Sequence, residues 1–372
     1  MIQMIYRIAT TVLKVGICMA LIGNCVLAHQ TDPANAITWN SVLKQAPAWY
    51  NTPEAIRIAD NVLLYQRDSG GWPKNIDMAR ILSDSQVQSL RKEKQKTDST
   101  IDNTATYTQL NFLARVYRVK GLERHKESLL KGVDYLLKAQ YDNGGWPQFY
   151  PDAHGYYAHI TFNDGAMIGV LKILRDIAEQ KVDFVFVDDS RRQSAAAAVE
   201  KGTELILKCQ VNVRGRRTVW GAQHDRVALA PAPARAFEPV SLASAESVGV
   251  VRFLMGIKQP NEEVIDAIES AIAWFETSKL TGIRWIEKPN SAKPGEIDRV
   301  VERDQNAGPL WARFYEIDTN RPIFAGRDAR IKYDISEIEH ERRNGYNWYV
   351  DEPGVLLSKD YPAWQKKWRR TE

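Results

Sequence analysis

Apolar residues recur along most of the chain at a spacing near 3.6, the period at which side chains return to the same face of a helix. Glycine, asparagine and proline separate these stretches, as they commonly do between helices. Alternation of apolar and polar positions, the pattern of a strand, is rare and short. The pattern therefore predicts an all-α protein with helices in residues 53–66, 103–117, 129–140, 162–177, 195–210, 241–255 and 263–277.

A short motif repeats with a fixed period. Trp72 and Trp146 both follow two glycines and precede a proline, and Trp220 continues the series in a fainter copy, at intervals of 74 residues. A period of this length indicates a repeat architecture. Two helices per repeat predict three helical hairpins that close into an (α/α)₃ toroid, or barrel, over about residues 40–284. We interpret the tryptophans as structural, and for Trp72 a sugar-binding role stays open.

The helical pattern weakens after about residue 285. Residues 285–372 are rich in turns, aromatic residues and arginines. We interpret them as an irregular C-terminal segment that packs on the ring and helps to form its cleft. Loops from the same end of each hairpin are expected to meet at this cleft.

The N-terminus has the features of a signal peptide. Arg7 and Lys14 precede a short apolar run, and small residues follow it. A membrane anchor is disfavoured because the run is too short to cross a bilayer. The pattern predicts a signal peptide at residues 1–28 and a mature domain at 29–372. This domain is expected in the periplasm or outside the cell, with no membrane association after cleavage.

The charge of the chain does not favour a nucleic-acid partner. The formal net charge is +4, and loss of Arg7 and Lys14 with the signal peptide leaves about +2. A charge this small is weak evidence for nucleic-acid binding. Any anionic ligand would need local clusters of arginine. A monomer is expected, since no interface motif argues against it.

Two aspartates stand at the starts of predicted helices. Asp102 and Asp164 both lie among the Asn, Thr and Gly residues that precede a helical stretch. From the residues alone, N-capping of the helix is the favoured role of Asp102 and the simplest role of Asp164. Alternatively, carboxylates at related ends of the ring could hold a hard cation such as Ca²⁺, which prefers oxygen ligands. No His or Cys spacing indicates a zinc site.

Three arginines lie in loops among apolar and aromatic residues, namely Arg235, Arg313 and Arg327. One interpretation is internal ion pairing, with these acids as partners: Glu238, Glu316 or Asp328. The other is recognition of a carboxylated ligand, because the guanidinium fork matches a carboxylate at two points. The sequence leaves both open.

A series of motifs resembles polysaccharide lyase family 10, the toroidal pectate lyases. The motifs follow one another in order over about residues 60–350, which is nearly the whole mature chain. They are GGWPKN at 70–75, TIDNTAT at 100–106, GGWPQ at 144–148, HITFND at 159–164, ARAFEP at 234–239 and RRNGYNWY at 342–349.

The resemblance implies a fold, a cofactor and roles for individual residues. It implies an (α/α)₃ toroid that acts on polygalacturonate with Ca²⁺, which Asp102 and Asp164 would help to bind. It implies that Arg235 is the Brønsted base. The other matched positions are implied to bind the substrate: Lys74, Asn103, Arg313 and Arg327.

The implied reaction is anti β-elimination of α-1,4-linked polygalacturonate, giving 4,5-unsaturated oligogalacturonates. Because an arginine base is normally protonated, an alkaline optimum is expected. Two alternatives remain. A glycoside hydrolase on the same ring would give saturated products without calcium. A non-catalytic polyuronate-binding protein would bind without turnover.

Overall fold

The computed structural model describes residues 37–290 and 293–368. The predicted signal peptide, residues 1–28, lies outside the described residues and stays a prediction. Within the described ranges, no helix is both long enough and apolar enough to cross a membrane.

Helices form most of the regular structure. In chain order they are α1 (Pro53–Tyr65), α2 (Asp84–Lys92), α3 (Tyr107–Lys120), α4 (Glu123–Ala139), α5 (Ala166–Ala178), α6 (Asp189–Cys209), α7 (Ser244–Met255), α8 (Glu262–Ser278), α9 (His340–Asn344), α10 (Glu352–Val355) and α11 (Tyr361–Trp368).

Polar side chains determine where several helices begin. The side-chain oxygens of Thr52, Asp188 and Asn261 each accept a hydrogen bond from the backbone N–H three residues later, at 3.2, 3.0 and 3.0 Å. These bonds satisfy donors that a helix leaves unpaired in its first turn. Pro53, which has no N–H to satisfy, occupies the first position of α1.

Three helical hairpins form the ring. Helices α3 and α4, α5 and α6, and α7 and α8 pack as pairs. One layer is made by α3, α5 and α7, which contact one another in that order, and a second layer by α4, α6 and α8. The first layer includes the most apolar helix, α5, with eight buried residues. The arrangement confirms the predicted all-α toroid of three hairpins.

The repeated tryptophans anchor each loop to the helix before it. The indole nitrogens of Trp72, Trp146 and Trp220 donate to backbone carbonyls of α1, α4 and α6 at 2.8, 2.8 and 2.7 Å. All three side chains are fully buried. The structural interpretation is therefore right. The sugar-binding role left open for Trp72 is wrong, because its indole is fully buried and has no exposed surface to offer a sugar.

The glycines of the motif allow the loop to approach the next hairpin. Gly70 and Gly144 have φ angles of +100° and +96°. A Cβ atom at these positions would lie 2.4 Å from the carbonyl oxygen of Lys131 and 2.3 Å from that of Lys201. Only glycine fits both the backbone conformation and the space.

The strands are mostly two residues long. They are β1 (Ile160–Thr161), β2 (Asn212–Val213), β3 (Arg216–Arg217), β4 (Gln223–His224), β5 (Leu242–Ala243), β6 (Ile283–Pro289), β7 (Ile297–Arg303), β8 (Trp311–Ala312), β9 (Phe314–Tyr315), β10 (Pro322–Ala325), β11 (Ile331–Lys332) and β12 (Tyr349–Val350). Strands β6 and β7 form an antiparallel ribbon over seven residue pairs. The expectation that strands are all short is wrong for this ribbon.

A four-stranded sheet joins the residues after 285 to the ring, because it combines one strand from the ring region with three from the C-terminal segment. Its strand order is β11-β10-β9-β5, and all pairs are antiparallel. Strand β5 leads directly into helix α7, and it pairs Leu242 with Tyr315 and Ala243 with Phe314. Strand β8, which ends directly before Arg313, pairs separately with β12. These pairings bring the segment that contains Arg313 to the start of helix α7.

Candidate active site

Two sharp turns precede helices α3 and α5 and carry the predicted aspartates. One turn spans Asp102–Thr104 and the other Asn163–Gly165, and the two are in contact. The backbone is left-handed at Asn103 and Asp164, with φ angles of 47° and 49°. Neither aspartate side chain caps a helix. The capping role favoured from the residues is therefore wrong, because Thr106 and Gly165 occupy the cap positions of α3 and α5.

The two turns face a small cavity of about 60 Å³. Its wall is polar and comes from five loops. The residues that line it are Lys74, Asp102, Asn103, Gln148, Tyr156, Asn163, Asp164, Gln223, Arg235 and Glu238. Five of the seven site residues implied by the resemblance are therefore together in one place.

Asp102 is almost fully buried and is paired with a cation. Lys74 Nζ donates to its Oδ2, and the same ammonium group lies 5.3 Å from the centre of the Phe149 ring. The other oxygen, Oδ1, is buried and has no hydrogen-bond partner among the described residues. An ionised carboxylate has acceptor capacity to spare on such an atom. Asn103 lies next to this pair and donates to Asn75 Oδ1 at 2.8 Å.

Asp164 is held between an amide and a guanidinium group. It accepts hydrogen bonds from Asn163 Nδ2 at 2.9 Å and from Arg313 Nη2 at 3.3 Å. Its side chain is 39% exposed, so part of it faces the cavity opening. Tyr107 lies close to both aspartates, and burial, followed by the charges of Asp102 and Asp164, raises the pKa of its phenol.

Arg313 connects the C-terminal strands to the ring. Its backbone is fixed between β8 and β9, where its N–H donates to Trp348 O at 2.7 Å. Its Nη2 contacts Asn163 Oδ1 at 3.2 Å as well as Asp164, and it also donates to Glu246 on helix α7. The expected partner Glu316 is wrong, because Glu316 follows β9 and bonds instead to Thr319 and Tyr333.

Glu246 is a site residue that the sequence analysis missed. Its side chain is 2% exposed, and burial raises its pKa even though it pairs with Arg313. Its Oε2 has no hydrogen-bond partner among the described residues. The available signal was a single acid within the apolar stretch of helix α7, where a glutamate is costly unless it is paired.

Arg235 is paired with Glu238, as one interpretation of the sequence proposed. Its Nε and Nη2 donate to the two oxygens of Glu238 at 2.8 and 2.5 Å. The guanidinium carbon lies 4.7 Å from the centre of the Phe237 ring and 5.9 Å from that of Tyr346. The hydrogen bond and charge of Glu238 together raise the pKa of Arg235.

Arg327 lies farther out than the other implied residues. Its side chain is 61% exposed, and Nη2 donates to Glu341 at 3.0 Å. The expected ion pair with Asp328 is wrong, because Asp328 bonds to Lys332 instead. Arg327 does not line the cavity, but its guanidinium carbon lies 5.9 Å from the Phe237 ring, which also contacts Arg235.

The cavity has oxygen atoms suited to a hard cation. Besides Asp102 Oδ1, the Oε1 atoms of Gln148 and Gln223 are buried without a hydrogen-bond partner in the described chain. Carboxylate and amide oxygens are the donors that Ca²⁺ takes in proteins. No group of three acidic, His or Cys side chains converges on one point within residues 37–290 and 293–368. The unpartnered oxygens are therefore donors of the type that a calcium ion would need, and a complete set of ligands would have to include groups from outside the protein.

The helical toroid thus brings aspartates and arginines from separate loops together around one polar cavity. The family model described as pectic acid lyase matches residues 66–357. The chain therefore belongs to the pectic acid lyase family and is a polysaccharide lyase.

Solved structures of similar proteins agree with this assignment. The chain is 34% identical to an aspartate-to-alanine mutant of the family 10 polysaccharide lyase from Cellvibrio cellulosa in complex with trigalacturonic acid. The match has a TM-score of 0.74 and covers 87% of this chain and 95% of the other. A second structure of the Cellvibrio cellulosa lyase matches at 33% identity and a TM-score of 0.72, covering 87% and 94%. No curated protein matches the chain.

Proposed function

We propose that the protein is a calcium-dependent pectate lyase that cleaves α-1,4-linked polygalacturonate by anti β-elimination. The observation that carries this proposal is the meeting of Asp102, Asp164 and Arg235 at one cavity, with Arg313 bound to Asp164. Membership of the pectic acid lyase family supports the same activity. The ligand of the Cellvibrio cellulosa complex, trigalacturonic acid, supports the same class of substrate.

Elimination on a polyuronate needs positively charged side chains that bind the substrate carboxylates. Lys74 and Arg313 are bonded to the two aspartates, and the guanidinium carbon of Arg327 lies 5.9 Å from the centre of the Phe237 ring. We assign these three side chains, with Asn103, to binding of the uronate units. Calcium, when held by Asp102 and Asp164, would add positive charge next to the carboxylate and so make the C5 proton more acidic.

Arg235 is the proposed base. In the elimination step the C5–H bond breaks and its proton passes to the guanidine of Arg235. The electron pair of that bond forms the C4–C5 double bond, and the C4–O bond breaks with its electrons on the departing oxygen. Arginine is normally protonated, and Glu238 raises the pKa of Arg235 further. The reaction is therefore expected to be fastest at alkaline pH.

Replacement of Arg235 tests its role as base. Arg235→Ala is expected to lower kcat by about 10²- to 10⁴-fold, the usual contribution of a general base. Binding of oligogalacturonate, measured by calorimetry, should change far less. The matched control is Arg191→Ala, which removes an arginine of α6 that is paired with Asp134 of α4. Undiminished turnover by Arg235→Ala would contradict the assignment.

Export to the periplasm or the extracellular space is also part of the proposal. It rests on the charged and apolar pattern of residues 1–28. Mass spectrometry of the exported protein should show a chain that begins near residue 29. A protein that keeps its first 28 residues would contradict the predicted signal peptide.

A further inference from the structure

Both carboxylate oxygens of Glu238 accept hydrogen bonds from the side chain of Arg235. Besides the two side-chain bonds, the backbone N–H of Arg235 donates to Glu238 Oε2 at 3.2 Å. The loop between them is closed by a backbone bond from Glu238 N to Arg235 O at 2.7 Å. Guanidinium and carboxylate thus lie on one tight turn, so their relative position is set by the backbone as well as by the ion pair.

The carboxylate itself is fixed by a residue far away in sequence. Glu238 is 5% exposed, and Tyr346 Oη donates to its Oε1 at 2.9 Å. Burial raises the pKa of Glu238, but the hydrogen bonds from Arg235 and Tyr346 and the guanidinium charge outweigh it, so the pKa lies below its usual value. Glu238 is therefore ionised at neutral and alkaline pH, next to the proposed base Arg235.

This ion pair leaves one guanidinium nitrogen of Arg235 free to accept a proton. Nε and Nη2 are engaged with Glu238, whereas Nη1 makes no hydrogen bond to any described residue. Arg235 lines the same cavity as both aspartates. The neutral guanidine keeps protons on the two nitrogens that face the carboxylate, which makes Nη1 the atom with a free lone pair.

We propose that Glu238, held by Tyr346, is a positioning residue that presents Nη1 of Arg235 to the C5 proton and stabilises the guanidinium formed when that proton is taken up. The inference rests on the proposed lyase function and deepens it. The C5–H bond breaks, the proton bonds to Nη1, and the two engaged nitrogens keep their contacts with Glu238 throughout. A carboxylate that orients a base and stabilises its conjugate acid plays the part that aspartate plays beside histidine in hydrolases.

Other charged and titratable groups also act on Arg235 and have to be held constant. They lie on four different loops: Tyr156, Asp164, Arg327 and Tyr346. Asp164 and Tyr346 favour the protonated guanidinium, as Glu238 does, but neither is bonded to it. Glu238 is the group that both bonds to Arg235 and carries a full charge, so its removal should have the largest effect.

The test is Glu238→Gln, which keeps the shape of the side chain and removes its charge. We expect kcat to fall about 10- to 100-fold, a part of the contribution of the base itself, with KM changed less than about threefold. Because the carboxylate no longer favours the guanidinium, the rise of kcat with pH should begin at lower pH. Glu238→Asp, which keeps the charge but not the reach, should lower kcat without this displacement of the profile.

The matched control is Asp134→Asn, which breaks another two-point arginine–carboxylate pair, with Arg191 at 2.7 Å through both nitrogens. It should leave kcat and the pH profile as they are. An unchanged kcat and profile in Glu238→Gln, or a change in KM alone, would overturn the proposal, since a purely structural role predicts either result.

A milder variant protects the test against misfolding of Glu238→Gln. Tyr346→Phe removes one hydrogen bond and keeps the ring, so kcat should fall about three- to tenfold, the effect of losing one hydrogen bond of ordinary strength, with KM unchanged. A folded Tyr346→Phe protein with the wild-type kcat would overturn the proposal. Absence of unsaturated product from the wild-type protein would instead overturn the lyase function and this inference with it.

Discussion

Each aspartate or glutamate at the cavity is paired with a cationic side chain. Lys74 pairs with Asp102, Arg313 with Asp164, and Arg235 with Glu238. Only the last of these pairs is close in sequence, and only that one was anticipated from the residues. The other two pairs form because the ring brings separate loops together. Their partners are far apart in the chain and could not be predicted from the sequence.

A buried histidine next to the site should make the fold sensitive to acid. His224 is fully buried, its Nδ1 lies 2.8 Å from Leu229 O, and its Nε2 accepts from Gly221 N at 3.0 Å. An imidazole that accepts at Nε2 is neutral, and burial lowers its pKa to about 4. As pH falls from about 6.5, the unfolded chain takes up a proton that the native chain does not.

Wild-type protein should therefore lose about 2 to 3 kcal/mol of unfolding free energy between pH 7 and pH ~4.5 through His224. His224→Gln should be less stable at pH 7 but lose less on acidification, as measured by urea unfolding at both pH values. His154→Gln, at an imidazole that is 69% exposed, is the control and should follow the wild type. Equal acid losses in wild type and His224→Gln would count against this origin.

At the scale of the elements, one glutamine per repeat joins neighbouring hairpins. Gln66, Gln140 and Gln210 stand at the ends of α1, α4 and α6. Each donates to a carbonyl of its own loop and to a carbonyl of the next helix of the second layer, at Ser128 of α4, Ala198 of α6 and Ala267 of α8. The first two glutamines are 74 residues apart and the third follows after 70, so the repeat visible in the sequence corresponds closely to one repeated contact between hairpins.

Loss of one such contact should weaken the ring. Gln140→Met keeps the length of the side chain but leaves the carbonyl of Gly144 without its donor and removes the second hydrogen bond to the helical carbonyl of Ala198. We expect the free energy of unfolding to fall by about 1 to 3 kcal/mol, the cost of one buried carbonyl left unpaired. Chemical denaturation of Gln193→Met, an exposed glutamine on α6, should show almost no change. A Gln140→Met protein as stable as this control would contradict the role.

Some elements could not be predicted from local pattern. The ribbon of β6 and β7 has no fully buried face, so apolar residues do not alternate along it. Cross-strand ion pairs such as Arg284 with Glu302 and Arg299 with Glu287 accompany it instead. Trp311 also repeats the tryptophan contact by donating to Phe275 O at 2.8 Å, but the Gly-Gly motif that marks the first two copies is missing there.

At the scale of the whole molecule, the ring brings residues that are far apart in the sequence to one site. The hairpins and their number could be predicted from the helical period and the repeat, because both are local properties of the sequence. Arg313 meets Asp164 across 149 positions of the chain, and Tyr346 meets Glu238 across 108. Such contacts depend on the closure of the toroid, so Glu246 and Tyr346 were found only in the structure.

The most direct test of the proposed function is the product made from polygalacturonate. Mature protein is mixed with the polymer at alkaline pH, first with calcium and then with a chelator, while ultraviolet absorbance of unsaturated ends and release of reducing ends are both recorded. Elimination predicts that both signals rise together in calcium and stop in chelator. Reducing ends without absorbance would show hydrolysis and contradict the lyase, and binding with neither signal would contradict catalysis on this substrate.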